Sequence, residues 1–484
     1  MSTRRIKDPV HGYIELAEPL VERLVDTPEF QRLRRVRQLS ATHLVYPGAT
    51  HTRFEHSLGV YHLASEVFSN LRGQSYFTDG ATTAELDEIE QTLSCASLLH
   101  DIGHPPLSHL GERHLDVDAL RDRLTETGLV ARFRAVAPDV NGWPKPIERA
   151  APHELLSCVH ILEVYDDALD ALGVSPAEVA GYVLGWSLAY ETGAAWQYGV
   201  GPEILHSPVD VDRLDYMVRD DHMTGADVLD IDTDRMTSAY TAHPKAGLAL
   251  AEGALSAIGN YLEGRVSLYQ WVTQHHKSVY ANMLFQRLLD ELAVREDLIT
   301  ADAVLSGIDD FWLLERFRET AADPPGGAFG DLYDRYRSRD FAESCWKHRL
   351  GFGDAVPDGV DPDAYARWLI DNDDRLEATL ADDLGLPAHE VWIEHSYVPE
   401  YEPGELRDIP LAHRGRVQSV ADHGLYGGRE VGCSLPLVYG PEGYARRPRP
   451  APAPPDPAQR LPPPPNFYPP TRFPVSWPVT LSRG

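Results

Sequence analysis

Between about residue 15 and residue 300, apolar residues return every three or four positions, as in LVERLVDTPEFQRLRRVRQL, HSLGVYHLASEVFSNL, ELDEIEQTLSCASLLHDIG and NMLFQRLLDELAV. A period near 3.6 gathers such residues on one stripe of a helix, so this stretch is expected to fold as packed helices rather than alternating strands. Asp26 and Thr27 ahead of Pro28 give a helix start, a capping side chain followed by a proline in the first turn. Helical stretches such as DPDAYARWLIDNDDRLEATLADDL continue to about residue 385, with more acidic residues and more Pro and Gly breaks. From about 390 to 440 the runs shorten to VWIEHSYV and SLPLVY, which reads as a few edge strands, with Gly424, Gly427 and Gly428 as a turn. Those glycines lack the G-x-x-x-x-G-K-[ST] spacing of a phosphate loop. After residue 446 the tail RRPRPAPAPPDPAQRLPPPPNFYPP favours extended polyproline II over a packed core. The expected architecture is mainly α: a helical core over residues 1–300, a smaller α+β C-terminal lobe over 301–445 and a proline-rich extended tail over 446–484.

Acidic residues outnumber basic ones by 74 to 44, a formal net charge of -30. A surface of that sign repels phosphate, which argues against duplex nucleic acid as a partner. No run approaches the 18 apolar residues of a membrane span, and MSTRRIKDPVHGYIEL has no apolar core of the kind a secretory signal needs, so no membrane contact and a cytoplasmic location are expected. Cys95, Cys158, Cys345 and Cys433 lie far apart without a C-x-x-C pair. A metal, if present, must therefore be held by histidine and carboxylate.

The densest chemical cluster is LLHDIGHPPLSH, which supplies His100, Asp101, His104 and His109 within ten residues. An apolar helix leads into it, and Gly103, Pro105 and Pro106 stop simple helical continuation, leaving a rigid turn that presents two further imidazoles. THTRFEHSLG adds His51 and His56, and PVDVDRLDYMVRDDH adds Asp210, Asp212, Asp215, Asp220 and Asp221. Imidazole with carboxylate suits Mn, Fe or Zn or, with more oxygen ligands, Mg. Taken singly, His100 reads first as a hydrogen-bonded core histidine, and the aspartates as one solvated helix face.

The order FEHSLG, HDIGHPPLSH, DVDRLDY resembles the HD-domain phosphohydrolases. IKDPVHGYIEL, DTPEFQRLRRVRQLSATHLVYPGATHTRFEHSLGV and VDVDRLDYMVRD resemble more narrowly their deoxynucleoside triphosphate (dNTP) triphosphohydrolase branch, over about residues 4 to 290. The resemblance implies an HD-domain helical core with His56, His100, Asp101 and Asp212 as ligands of one divalent metal, Mg, Mn or Fe ahead of Zn. It implies that water attacks the α-phosphorus and that deoxynucleoside and tripolyphosphate leave. His104, His109, Glu112 and His153 then match positions that contact phosphate or move protons, with His109 as general acid. Arg53, Arg213, Tyr216 and Asp220 match the substrate pocket, and Gln38 and Leu39 match residues packed beside the deoxyribose, where they exclude a 2′-hydroxyl. Arg4, Asp26, Gln31 and Arg34 fall where SAM-domain-bearing members build a guanine-nucleotide activator site; a helix cap at Asp26 and surface charge at Arg34 are the plainer alternative. At the base-contacting position the chain departs from the branch, with Gln274, His275, His276 and Lys277 in WVTQHHKSVY either facing substrate or forming a polar helix face. Relatives assemble, so a homo-oligomer, dimer or tetramer, is expected, and the proline-rich tail either contacts a partner or neighbouring subunit or stays solvated. Hydrolysis of a monophosphate or cyclic nucleotide at the same metal, or nucleotide sensing without turnover, are the alternative functions.

Overall fold

The computed structural model describes residues 2–296, 298–322 and 327–344, and beyond these 361, 365, 368, 369, 371–398, 409–413, 416–420 and 433–440. Gly424, Gly427, Gly428 and the tail from 446 lie outside the described residues. The fold is mainly α, with small sheets at its margins.

The first seventeen residues pair as an antiparallel hairpin, Thr3–Asp8 against Gly12–Ala17, an element that helical periodicity does not signal. Its turn is closed by Asp8, whose Oδ1 accepts from the backbone N–H groups of Val10 and His11 at 2.9 and 2.8 Å. Ile14 and Leu16 face the core with Val21 and Leu24. The expected helix start is present, but Thr27 is the cap: its Oγ1 accepts from Phe30 N–H, while Asp26 turns away to pair with Arg4 at 2.5 Å.

Four helices surround the site. Arg53–Arg72 and Thr83–Leu99 each begin with a capping box, Thr52 with Glu55 and Thr82 with Glu85, in which threonine and glutamate satisfy each other's backbone donors. Pro152–Glu163 follows, and Val211–Thr224 is capped by Asp210 through Arg213 N–H at 2.7 Å. Arg53–Arg72 is apolar on most of its circumference and is enclosed by Thr83–Leu99 on one side and Val211–Thr224 on the other. Gly59 permits the second approach, since a Cβ there would stand 1.9 Å from Asp215 Oδ1.

The hairpin Tyr240–His243 with Gly247–Ala251 is extended by a parallel strand, Pro410–His413, which pairs in turn with Arg416–Ser419. A second sheet joins Glu343–Ser344, Cys433–Gly440 and Trp392–Val398, so both short apolar runs anticipated after residue 390 are strands. The first of these sheets bridges the division expected at 300/301. Among the described residues no helix is long and apolar enough to cross a membrane.

Candidate active site

The Thr83–Leu99 helix delivers His100 and Asp101 at its buried end, and Arg53–Arg72 delivers His56 one turn from its start. Each imidazole commits Nδ1 to an acceptor: His100 donates to the Ser97 carbonyl at 2.8 Å, and His56 to Asp215 Oδ2 at 2.8 Å. The Nε2 atoms are thereby turned toward Asp212, whose Oδ1 lies 2.9 Å from His56 Nε2 and 3.7 Å from His100 Nε2. Asp101 brings Oδ2 to 3.6 Å from His56 Nε2 and Oδ1 to 3.5 Å from His100 Nε2. One donor atom each from His56, His100 and Asp212 falls within 4.8 Å of the others, and His100 Nε2 is buried without a hydrogen bond. A buried nitrogen lone pair beside two carboxylates fits a divalent cation, which supplies the missing partner.

The electrostatics agree. Burial disfavours charge on His56, but hydrogen bonds to Asp212 and Asp215 outweigh it and push its pKa up to about 10. Burial likewise opposes charge on His100, and Asp101 and Asp212 still raise it. Burial would raise Asp101, yet Arg53 and His100 hold it well below the usual carboxylate range. The surroundings thus favour positive charge between these groups, as protons or as a metal ion.

A second group adjoins the first. The Nδ1 atoms of His104, His109 and His153 lie 3.2, 2.7 and 3.0 Å from one oxygen, Oε1 of Glu112. These four residues also gather within 4.8 Å, but the rings of His104 and His153 stack at 3.9 Å with a 16° interplanar angle. Glu112 Oε1 accepts a hydrogen bond from His109 Nδ1, whereas the buried Nδ1 atoms of His104 and His153 face the same carboxylate without hydrogen-bond geometry. Burial opposes charge on His153, but Glu112 raises its pKa to about 9; burial, with Arg53 and His153, pushes His104 down to about 3. The surroundings thus favour positive charge on His153 over His104. His109, with its side chain 54% exposed, is the member open to a ligand. Asp101 joins the two groups, with Oδ1 3.2 Å from His104 Nε2 and Oδ2 2.5 Å from Arg53 Nη1. His100, Asp101, His153 and Asp212 share a recess of about 30 Å³ with Glu154 and His206, two residues not singled out from the sequence.

The remaining sequence-named residues scatter more widely. Gln38 keeps a buried Oε1 without a hydrogen bond, and Leu39 packs partly buried against the core. Arg213 donates to the Ser207 carbonyl at 2.6 Å and pairs with Asp210. Tyr216 is half-buried on the same helix, and Asp220 is buried against His51 Nε2 at 2.7 Å. Of the five aspartates at 210–221 only Asp212 reaches His100, and Asp210, Asp215 and Asp220 are buried, so these residues are neither a shared ligand set nor a solvated face. Arg4 is bound by Asp26 and Glu18, each at 2.5 Å. Gln31 donates to Val25 O at 2.9 Å and accepts from Arg34 Nε at 2.8 Å, and the Arg34 guanidinium lies 3.5 Å above the Phe54 ring. A cavity of about 200 Å³ opens beside this stack, lined also by Lys7, His51 and Arg219. Gln274 ends one helical segment and His275 caps the next, accepting from Lys277 N–H at 3.3 Å, while Lys277 Nζ donates to Ala342 O. These residues form a junction between helices rather than a continuous polar face.

Sequence reading gave Asp215 no task beyond possible ligation and gave none to its partners. Arg219 donates to both Asp215 oxygens, at 2.9 and 3.0 Å, and to Asp8 at 2.8 Å; His11 Nε2 completes the set 2.6 Å from Asp215 Oδ1. The available signal was spacing, since Asp212, Asp215 and Arg219 follow one another at one-turn intervals on a single helix.

Residues 53–163 match the family model described as HD domain. The uncharacterised Bacillus subtilis protein YwfO is 28% identical over 289 residues, 58% of this chain and 54% of that protein. The deoxynucleoside triphosphate triphosphohydrolase SAMHD1 of Gallus gallus is 47% identical over 106 residues, 21% of this chain and 16% of the relative, and its Homo sapiens counterpart 47% over 108. The chain thus spans about half the length of the first relative and under a fifth of the others. Among solved structures, a phosphohydrolase from Bacteroides thetaiotaomicron shares the fold, with TM-score 0.62 and 21% identity over 90% of this chain and 99% of that one. A hypothetical protein from Aquifex aeolicus gives 0.59 and 20% over 91% and 96%.

Proposed function

We propose that this chain, whose residues 53–163 match the HD domain model, is a metal-dependent phosphohydrolase that cleaves dNTPs to deoxynucleoside and tripolyphosphate. One observation carries the reading: Asp101 stands between the His56, His100 and Asp212 group and a separate imidazole–carboxylate group that ends in an exposed His109. The choice of dNTP is supported by the local identity to the SAMHD1 proteins.

A divalent ion held by those four residues supplies a Lewis acid for phosphoryl oxygen and a water of lowered pKa. The protein does the rest. Asp215 and the Ser97 carbonyl hold the two imidazoles in the Nδ1–H form, keeping Nε2 available. Arg53, anchored through Nη1 to Asp101, keeps a buried Nη2 without a partner, a donor suited to a phosphoryl oxygen. Arg213 adds a second cation for the triphosphate. His109, oriented by its Nδ1 hydrogen bond to Glu112, protonates the departing deoxynucleoside oxygen and regains its proton from solvent, to which its side chain is more than half exposed. Tyr216 flanks the sugar, Asp220 contributes by orienting His51, and Gln38 with Leu39 closes the space a 2′-hydroxyl would need. A guanine nucleotide at Arg4, Asp26, Gln31 and Arg34 promotes assembly of a homo-oligomer.

Chromatography of products from each dNTP and rNTP, with Mg and with Mn, singly and in mixtures, tests the proposal. Tripolyphosphate from dNTPs is expected. Release of inorganic phosphate from monophosphates, or of a monophosphate from cyclic nucleotides, instead would assign the same metal group to another substrate, and binding without turnover would make the chain a sensor.

A further inference from the structure

Three non-glycine residues near the site hold positive φ: Ser40 at 48°, Leu107 at 60° and Ser108 at 52°. Side chains disfavour this region, so such residues persist only where their surroundings enforce it. Here the enforcement is reciprocal. Ser40 Oγ donates to the Leu107 carbonyl at 2.7 Å, and Ser108 Oγ donates to the Arg37 carbonyl at 2.7 Å while accepting from Arg53 Nε at 2.7 Å. A single carboxylate then joins the two backbones: Asp310 Oδ1 accepts from Leu107 N–H at 2.8 Å and Oδ2 from Arg37 N–H at 3.0 Å.

Asp310 is 2% exposed and begins the helix Asp310–Ala322, in a part of the chain to which sequence reading assigned no chemistry. Its neighbour Asp309 caps that helix through Trp312 N–H at 3.0 Å and pairs with Arg35. The buried Arg32 donates to Ile102 O at 2.6 Å, His104 O at 2.9 Å and Ile308 O at 3.2 Å, fastening the same turn to the same helix start. What the clasp separates is specific: Gln38 and Leu39 lie between Arg37 and Ser40, and His109 directly follows Ser108.

We infer that Asp310 is a positioning residue, one carboxylate that sets the distance between the pocket strip Arg37–Ser40 and the turn Leu107–His109, and so between bound substrate and its proton donor. This rests on the proposed phosphohydrolase reading. Asp310→Asn keeps the side-chain shape but replaces one acceptor oxygen with an N–H donor facing a backbone N–H, so one of the two bonds is lost. Turnover per folded molecule is expected to fall at least about tenfold, with bound metal per chain unchanged and dNTP affinity within about threefold. Amide exchange in peptides covering 37–40 or 102–109 should quicken by a similar factor. Ser40 grips the same Leu107 through its carbonyl, so the double variant with Ser40→Ala should lose less than the product of the single effects.

Wild-type turnover per folded molecule and wild-type exchange in Asp310→Asn would overturn the inference, as would strict multiplicativity with Ser40→Ala. If Asp310→Asn lowers the melting temperature and its activity falls only with the folded fraction, the residue is structural and the inference fails. If the wild-type protein releases tripolyphosphate from no dNTP, the substrate reading fails instead; the exchange rates then decide the clasp on their own, and unchanged exchange rejects it.

Discussion

The Asp215 carboxylate accepts a 2.8 Å hydrogen bond from His56 Nδ1, although the two residues are 159 positions apart. The bond orients His56, and Arg219 and His11 orient Asp215 in turn, so the N-terminal hairpin is wired to the candidate metal group through buried side chains. Carboxylates behind a ligating imidazole strengthen it and fix its tautomer. Asp215→Asn is expected to weaken Mn binding by roughly 10- to 100-fold, measured by equilibrium dialysis; affinity within twofold of wild type would remove Asp215 from the site.

For His109 the expected effect is kinetic. His109→Ala should lower turnover by roughly 100-fold or more while leaving metal and dNTP affinity within a few-fold. Its imidazole is more than half exposed, so little stability should be lost with it. Melting temperature, affinity and rate measured on one preparation separate the outcomes, and a destabilised but fully active variant would strip His109 of its proposed part.

The acid limb of stability should carry a signature of His160. Burial, with the nearby Arg32 guanidinium, pushes its pKa down to about 3, and its Nδ1 donates to Leu156 O at 3.0 Å. The unfolded chain takes up a proton at this ring near pH 6.5 and the folded one near 3, so the contribution is complete above about 6.5 and is lost as pH falls toward 3. His160→Gln should flatten the fall in urea-unfolding free energy between pH 6.5 and 4. An unaltered slope would show that other groups govern it.

Guanine nucleotides provide the test of the Arg4, Asp26, Gln31 and Arg34 cluster. Every one of these side chains already has a partner within the chain, so a ligand there must exchange bonds, starting with the half-exposed Arg4–Asp26 pair. GTP or dGTP is expected to raise the mass seen by light scattering and the rate together, and Arg34→Ala to suppress both. If neither mass nor rate responds over a wide concentration range, the four residues are structural.

Helical periodicity, the helix start at Thr27–Pro28 and the HD turn were legible because each depends on contacts within one or two helical turns. The runs at 392–398 and 433–440 were legible as strands for the same reason. The N-terminal hairpin was not, since its outward residues are mostly charged and its meaning lies in Asp8 and His11, which contact residues 211 and 204 positions away. Nor could spacing say which carboxylate between 210 and 221 turns toward His56, or that Asp310 holds Leu107 from 203 residues away. The amino-acid sequence by itself determined which segments are helical and which residue types are available for chemistry. Only the tertiary structure decided which carboxylate faces the Nε2 atoms of His56 and His100, which one fixes the His56 ring and which one holds a strained turn, because helix rotation and long-range hydrogen bonding follow from packing and not from local propensity.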